Sequence, residues 1–315
     1  MFIQIILIIL GFILLIKGAD LLVEGSSQIA KKLHISEIII GLTIVSIGTS
    51  MPELFVSTKS ALEGYSDISI GNIIGSNICN LLLILGLSAI IRPVTFKKQT
   101  KLVENPISIV FSILFLVICN INQDISREEG IILIILFILF LIYTIYMGVR
   151  SQKNSTIIQL EETKEINLAK NIVFIILGIS ILKIGADLVV YNSKMIATTL
   201  NVSEKVIGLT IVAIGTSLPE LVTSITAAMK GDSDIAIGNI VGSNIFNMLM
   251  IIGIASIIKP IEYNITYNFQ MIILLIGMLF MLIFPFLKPK NKLSRWKGLV
   301  FIILYLVYLL ELIIN

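Results

Sequence analysis

One six-residue phrase occurs twice in this chain of 315 residues, as GTSMPE at residues 48–53 and as GTSLPE at residues 215–220. The copies lie 167 residues apart, and the same offset places GNIIGSNICN at 71–80 onto GNIVGSNIFN at 238–247. The twenty residues that end with each phrase are identical at 14 positions, and the later blocks at 8 of 10. The chain therefore contains an internal duplication, and its two halves are expected to share one architecture.

The composition indicates an integral membrane protein. Hydrophobic residues make up 57% of the chain and charged residues only 14%, with a mean hydropathy of +1.02. Soluble domains carry about 25% charged residues. The net charge of +3 comes from Lys and Arg gathered in loops, which favours membrane orientation over nucleic-acid binding. The lipid bilayer is the expected partner, and no obligatory protein partner is evident.

The predicted fold is all-α, with ten transmembrane helices, because about 20 mostly apolar residues cross the hydrocarbon core. The first span has no cationic leader and continues past Lys17 and Asp20, which favours a helix over a signal peptide. The predicted spans are 2–30, 36–62, 69–91, 102–119, 129–148, 170–198, 203–229, 236–258, 266–287 and 297–313.

The spans divide equally between the halves. Residues 1–149 are predicted to form a first five-helix repeat and residues 170–315 a second, separated by a polar linker at 150–169. An odd number of helices per repeat makes the second copy enter the bilayer from the opposite side. The two repeats are therefore predicted to have inverted topology, as in many secondary transporters.

Lys and Arg are distributed unequally between the two sets of loops, and cytoplasmic loops carry the excess. The loops after helices 1, 3, 5, 7 and 9 are therefore predicted to be cytoplasmic, including the linker 150–169, with both termini outside the cytoplasmic membrane. These loops hold Lys31, Lys32, Arg92, Lys97, Lys98, Lys101, Arg150, Lys153, Lys164, Lys170, Lys230, Lys288, Lys290, Lys292, Arg295 and Lys297. The opposite face holds Arg127, Lys194, Lys205 and Lys259.

Each repeated phrase contains a proline that is expected to break its helix. Pro52 has no amide hydrogen and clashes with the carbonyl group of Gly48, and Pro219 does the same to Gly215. A kink at these points leaves carbonyl oxygens without helical partners. At membrane depth such groups persist only where protein or a polar cavity satisfies them, and a cation is one way to do so.

The polar residues of each phrase share one helical face. Thr49 and Glu53 are four residues apart with Ser50 beside them, and the second copy repeats this pattern with Thr216, Glu220 and Ser217. The later blocks supply two further pairs at the same spacing: Ser76 with Asn80, and Ser243 with Asn247. Every one of these side chains offers oxygen. That set suits Ca²⁺ or Na⁺, and protons compete by neutralising the carboxylates.

Each of these residues also has a simpler structural interpretation. Glu53 and Glu220 would serve as helix caps if they lay at a membrane interface, but both fall in the middle of a span. The serine and threonine hydroxyls are able to bond to carbonyl groups of their own helices. The glycines spaced as GxxxG are expected to allow close helix packing; they are Gly71, Gly75, Gly238 and Gly242.

The remaining polar residues of the spans suggest structural roles. Lys17 with Asp20, and Lys183 with Asp187, are one helical turn apart and are predicted to form ion pairs, structural or gating in preference to a direct place on an ion path. Cys79 and Cys119 are the only cysteines, so neither a disulfide framework nor a CxxC metal site is available. Both are interpreted as buried thiols.

The paired GTSxPE and GNxxGSNxxN blocks resemble the signatures of the cation/calcium exchanger superfamily, in its prokaryotic sodium/calcium antiporter branch. The resemblance covers both halves, and it implies two alpha repeats in which helices 2, 3, 7 and 8 form the ion site. It further implies sites that hold several Na⁺ or one Ca²⁺, exposed alternately to the two sides as helices 1 and 6 slide. The implied cargo is Ca²⁺ and Na⁺, with no cofactor.

The resemblance also implies roles for individual positions. Glu53 and Glu220 look like the shared carboxylate ligands. Asn247 stands where some members, including potassium-dependent exchangers, carry Asp, which argues against potassium co-transport. The resemblance places Thr49, Thr216, Ser50 and Ser217 around the carboxylates, and Ser76 and Ser243 at outlying Na⁺ sites. It places Asn80 beside Asn247 in the middle, and it implies that Ser46 and Ala213 contribute backbone carbonyl oxygens.

These features lead to a predicted function, a secondary antiporter that exchanges Na⁺ for Ca²⁺ and exports Ca²⁺, rather than an enzyme. Ca²⁺/H⁺ exchange is the alternative, because glutamates in a dry site are able to bind protons. An intramembrane aspartyl protease is disfavoured, since both acids are Glu and no GxGD motif occurs. A passive cation channel would show no counter-ion requirement.

Overall fold

The computed structural model describes residues 2–33, 36–154, 167–200 and 213–314, and this part of the chain is almost entirely helical. The predicted linker and the start of the predicted span 203–229 lie largely outside the described residues. The helices are α1 (Phe2–Lys32), α2 (Glu37–Thr49), α3 (Met51–Glu63), α4 (Ser66–Ile91), α5 (Thr100–Ile121), α6 (Arg127–Asn154), α7 (Leu168–Thr199), α8 (Ala213–Thr216), α9 (Leu218–Lys230), α10 (Ser233–Ile258), α11 (Tyr267–Phe286) and α12 (Arg295–Ile314).

Seven helices in the described part of the chain are long and apolar enough to cross a membrane, and α2 with α3 forms an eighth, bent candidate. These eight coincide with eight of the ten predicted spans. Span 203–229 is described only from residue 213 onward, where it contains α8 and α9. Span 297–313 is present as helix α12.

The repeated prolines coincide with breaks in both halves. Helices α2 and α3 meet at an angle of 50°, and Ser50 between them has φ −84° and ψ 9°, outside the helical region. Ser217 separates α8 from α9 with nearly the same values, φ −87° and ψ 7°. Pro52 and Pro219 lie in the first turns that follow, where a missing amide hydrogen costs nothing. The predicted interruptions are confirmed.

The helices that follow the breaks also match in length and ending. Helices α3 and α9 each have 13 residues and end at a glycine in the left-handed region, Gly64 with φ 87° and Gly231 with φ 95°. The backbone amide of each glycine bonds back to the last turn of its helix. Glycine suits this C-terminal cap because it has no Cβ to clash there.

Of the four predicted glycines, Gly238 and Gly242 approach a neighbouring helix backbone, whereas among the described residues a Cβ on Gly71 or Gly75 would meet only tyrosine side chains, at 3.2 Å or more. A Cβ on Gly238 would lie 2.7 Å from the carbonyl oxygen of Ile38, and one on Gly242 would lie 2.7 Å from that of Leu42. The expected close approach is thus confirmed for α10 against α2. The positions equivalent to Ile38 and Leu42 in the second half, 205 and 209, lie outside the described residues.

Helices α1 and α7 pack along their length through small residues. A Cβ on Gly18 would lie 2.9 Å from the carbonyl oxygen of Gly178, and one on Gly178 would lie 2.8 Å from that of Gly18. Contact between helix backbones at this distance is typical of small residues in membrane interfaces. The two longest helices of the described chain therefore form one pair, with a member from each half.

Two ladders of two residues each join the halves. Val94–Thr95 pairs with Lys292–Leu293, and Asp124–Ile125 pairs with Ile261–Glu262, both antiparallel. Nearby, the Thr95 amide donates to the Ser233 hydroxyl at 3.2 Å, and the Glu262 amide donates to the Ser66 hydroxyl at 3.3 Å. These two contacts are related by the repeat offset of 167 residues.

One of the two predicted local ion pairs is wrong. Lys183 and Asp187 do pair within α7, at 3.2 Å. Asp20 instead pairs with Lys230 at the end of α9, with 3.0 Å between Oδ1 and Nζ, and the same ammonium donates to the Asp20 carbonyl oxygen. An ion pair within one helix contributes only roughly a few tenths of a kcal/mol. The packing of α9 against α1 therefore determines which lysine Asp20 pairs with.

Candidate functional site

The two glutamates of the repeated phrase lie in the first turns of α3 and α9. Glu53 is 0% exposed and Glu220 is 1% exposed. Because each helix N-terminus carries unpaired amide hydrogens and a partial positive charge, it favours a carboxylate at this position. Burial of this degree contradicts a cap at a membrane interface, so both acids belong to the protein interior.

Each glutamate is contacted by the other half of the chain. The Ser50 hydroxyl donates to Glu220 Oε1 at 2.7 Å, and the Ser217 hydroxyl donates to Glu53 Oε1 at 3.3 Å. The Ser76 hydroxyl of α4 also donates to Glu53 Oε1, at 3.3 Å. The predicted carboxylates and serines are thus brought together, and the contacts of Ser50 and Ser217 join the two copies of the phrase.

The threonines and the second outlying serine contact oxygens of the other half. Thr49 and Ser243 also lie within hydrogen-bonding reach of the Glu220 side chain. Thr49 Oγ1 lies 3.1 Å from the carbonyl oxygen of Val45 in its own helix and 3.0 Å from Asn239 Oδ1. Thr216 Oγ1 lies 3.4 Å from Asn72 Oδ1. The expected bonding of a hydroxyl to its own helix is therefore present at Thr49, together with a contact to the other half.

Ser46 and Ala213, the two positions expected to contribute backbone carbonyls, lie in the helices that precede the breaks. The Ser46 carbonyl oxygen accepts a 3.4 Å hydrogen bond from the Ser243 hydroxyl, which comes from α10 in the other half. Ala213 begins α8, one turn before Ser217, and its backbone alone is described. Ser46 therefore lies at the junction of the halves.

Asn72 and Asn239 brace the two acidic helices, a role that the sequence did not indicate. Asn72 donates to the Ser57 hydroxyl at 3.0 Å and to the Glu53 carbonyl oxygen at 3.5 Å. Asn239 repeats both contacts in the second half, with the Ser224 hydroxyl at 2.9 Å and the Glu220 carbonyl oxygen at 3.5 Å. Both asparagines lie four residues before the predicted serines, on the same helical face, which is the signal that points to them.

Two asparagines from each half meet across α4 and α10. Asn80 donates to Asn244 Oδ1 at 3.1 Å, and Asn247 donates to Asn77 Oδ1 at 3.0 Å. All four side chains are buried. Each of the two predicted asparagines therefore contacts an asparagine of the other half. These partners, Asn244 and Asn77, are additions to the predicted set.

Four buried oxygens of this cluster have no hydrogen-bond donor: Oε2 of Glu53, Oε2 of Glu220, Oδ1 of Asn80 and Oδ1 of Asn247. A buried acceptor without a partner costs about 1–3 kcal/mol, and more if it is charged. Carboxylate and amide oxygens are the types of ligand that hard cations such as Ca²⁺ and Na⁺ take. The orphaned oxygens are thus chemically suited to a cation as cargo.

All predicted ligands of the site offer oxygen, although the buried thiol of Cys79 lies beside Ser217. Within the described residues, no three His, Cys, Asp or Glu side chains are placed to hold a metal ion together. Cys79 and Cys119 are both buried and unpaired with each other, as expected. A set made only of carboxylate, hydroxyl and amide oxygens favours Ca²⁺ or Na⁺ over transition metals, which prefer nitrogen and sulfur ligands.

Fold and site together define a polytopic membrane protein with a buried cluster of acidic and polar side chains between its halves. The family model of the sodium/calcium exchanger protein matches residues 3–146 and 170–314, so the chain belongs to the sodium/calcium exchanger family. It is a membrane transporter of the cation/Ca²⁺ exchanger type rather than an enzyme, because its relatives are exchangers.

Individual relatives match over most of their length. The chain is 32% identical to sodium/calcium exchanger MaX1 of Methanosarcina acetivorans, over 98% of both proteins. It is 36% identical to inner membrane protein YrbG of Escherichia coli, over 82% of this chain and 81% of that protein. A solved structure of the sodium-calcium exchanger NCX_Mj soaked with Na⁺ and Ca²⁺ superposes with a TM-score of 0.86, at 35% identity over 98% of both chains.

Proposed function

We propose that this protein exchanges Na⁺ for Ca²⁺ across the cytoplasmic membrane by alternating access and that it exports Ca²⁺. The observation that carries the proposal is the meeting of Glu53 and Glu220 with serines of the opposite halves, beside four orphaned oxygens. MaX1 and NCX_Mj are described as sodium/calcium exchangers, and their coupling ion is the one proposed here.

The charges of the site support exchange between these ions. Glu53 and Glu220 together carry two negative charges, which one Ca²⁺ neutralises. Several Na⁺ are able to take the place of that Ca²⁺. Because Ca²⁺ takes 6–8 oxygen ligands, the two carboxylates need help from neighbouring oxygens. We assign that help to Thr49, Thr216, Ser50, Ser217, Ser76, Ser243, Asn80 and Asn247, and to the backbone carbonyls of Ser46 and Ala213.

The proposed architecture is ten transmembrane helices in two inverted repeats, residues 1–149 and 170–315, joined by the linker 150–169. The reciprocal contacts at the site and at the two ladders support this arrangement, since an approximate two-fold axis would produce them. The excess of Lys and Arg in the loops supports a cytoplasmic linker and both termini outside. The α1–α7 pair, with one helix from each half, is the element that would slide during alternation.

Flux measurements with purified protein in liposomes test the proposal. An outward-directed or inward-directed Na⁺ gradient should drive radiolabelled Ca²⁺ in the opposite direction, with no flux in the absence of a counter-ion. A pH gradient that drives Ca²⁺ movement regardless of Na⁺ would establish the second candidate, Ca²⁺/H⁺ exchange. That candidate is favoured by the burial of both carboxylates, because a dry acid is a good proton acceptor.

A further inference from the structure

Four asparagines form a closed set of hydrogen bonds between α4 and α10. In addition to the side-chain contacts described above, Asn77 Nδ2 donates to the backbone carbonyl of Asn244, and Asn244 Nδ2 donates to the backbone carbonyl of Asn77, both at 3.3 Å. Every one of the four side chains is at most 2% exposed. Bulk solvent therefore does not reach these amides.

The backbone contacts determine which way each side-chain amide points. A backbone carbonyl oxygen only accepts hydrogen bonds, so Asn77 and Asn244 must each present their NH₂ group to it. Their side-chain oxygens then point to the remaining partners, Asn247 and Asn80. Because those oxygens also only accept, Asn247 and Asn80 must in turn present NH₂ groups to them.

This arrangement leaves the side-chain oxygens of Asn80 and Asn247 without a hydrogen-bond donor. With both NH₂ groups held by Asn244 and Asn77, Oδ1 of each side chain is directed away from its holder, and each Oδ1 is buried without a donor. Asn80 lies one helical turn beyond Ser76, which contacts Glu53, so it shares the helical face of the site. A rotated amide would present NH₂ instead, which repels a cation.

We infer that Asn77 and Asn244 are positioning residues, which hold the amide oxygens of Asn247 and Asn80 in the orientation that binds the transported cation. The inference rests on the proposed function and adds a requirement to it. A carboxylate at position 247 or 80 has two equivalent oxygens and needs no such orientation. Such a carboxylate would also be repelled by the side-chain oxygen of Asn77 or Asn244. These two residues therefore support cation binding only while their partner is an asparagine.

This dependence is tested by a double-mutant cycle in liposomes, with the Ca²⁺ concentration that gives half-maximal Na⁺-driven uptake as the readout. Asn77→Leu, which removes both hydrogen-bonding groups at similar size, should raise this concentration about 10- to 100-fold, as is typical for groups that orient metal ligands. In the Asn247→Asp background the same Asn77→Leu change should alter it less than about twofold, or lower it.

The other half provides a matched second cycle. Asn244→Leu should weaken Ca²⁺ uptake in the wild-type background and lose this effect in the Asn80→Asp background, so the test stands even if one leucine variant is not monodisperse by size-exclusion chromatography. Equal effects of the leucine change in both backgrounds would overturn the positioning role and indicate general packing. A wild-type protein that moves no Ca²⁺ under a Na⁺ gradient would overturn the proposed function itself, which these variants alone do not do.

Discussion

The Ser50 hydroxyl donates a 2.7 Å hydrogen bond to Glu220 Oε1 across 170 positions of sequence. The repeat-related bond, from Ser217 to Glu53 Oε1, is longer at 3.3 Å. Each copy of the GTSxPE phrase therefore provides an acid for its own half and a donor for the other. The site is complete only when both halves are folded together.

Glu53→Gln and Glu220→Gln should each abolish Na⁺-driven Ca²⁺ uptake. Each change removes one of the two buried negative charges that offset the charge of Ca²⁺. Glu104→Gln is the matched control, because Glu104 is 2% exposed with an unpartnered Oε2 but lies at the start of α5, apart from the cation site. Initial uptake rates in liposomes check this, and full transport by either of the first two variants would refute the shared-ligand role.

Ser50→Ala should raise the half-saturating Ca²⁺ concentration more than Ser217→Ala does. A hydrogen bond to a charged group is worth about 1.5–3 kcal/mol, which is roughly tenfold or more in affinity, and the Ser50 bond is the shorter one. Ser112→Ala serves as control, since that buried serine donates to Ser108 O in its own helix. Equal affinities for the Ser50 and Ser112 variants would contradict the assignment.

The positions of the two phrases and their chemistry were accessible from the sequence. The prolines predicted the breaks beside Ser50 and Ser217, which are a local property of a helix. The i, i+4 spacing placed Thr49 and Glu53 on one helical face, but the break at Ser50 separates them, and Thr49 instead lies beside Glu220 of the other half. The duplication adds that whatever one phrase does, the other does in its own half.

The contacts between halves were not accessible in the same way. Asp20 was expected to pair with Lys17 but meets Lys230, which is distant in sequence. The asparagines Asn77 and Asn244 belong to the repeated block, yet their partners become evident only when α4 and α10 face each other. Sequence spacing identifies neighbours on one helix, whereas the packing of two helices decides which of several polar groups meet.

Exchanging the charges of Asp20 and Lys230 should test whether their ion pair governs the movement of α1. Asp20→Lys removes the attraction to Lys230, and we expect a change in maximal uptake rate with an unchanged half-saturating Ca²⁺ concentration, because neither residue is placed in the cation site. The double variant Asp20→Lys, Lys230→Asp should restore the wild-type rate. Exposed pairs contribute about 0–1 kcal/mol, so the expected change is at most roughly fivefold. A double variant whose rate stays at that of Asp20→Lys would contradict a role for the pair.

Lys297→Met should destabilise the protein without changing its affinity for Ca²⁺. Lys297 is 0% exposed, and its ammonium group donates to four carbonyl oxygens, those of Phe284, Leu287, Pro289 and Lys292, at 2.7–3.0 Å. The ammonium thus holds the segment between α11 and α12 together as a bound cation would. Methionine keeps the volume but removes this donor. The Phe284 carbonyl oxygen retains a hydrogen bond from the Leu287 amide at 3.2 Å, whereas a buried acceptor left without any donor costs about 1–3 kcal/mol.

We expect the apparent Tm of Lys297→Met in detergent to fall by roughly 5–10 °C, which corresponds to about 3 kcal/mol for a chain of this size. Lys290→Met is the control, because Lys290 belongs to the same segment but is exposed. Thermal unfolding followed by size-exclusion chromatography measures both variants. Equal Tm values would show that the four carbonyl groups find other donors, and a shift confined to Lys297→Met would establish the buried ammonium as the group that fixes this connection.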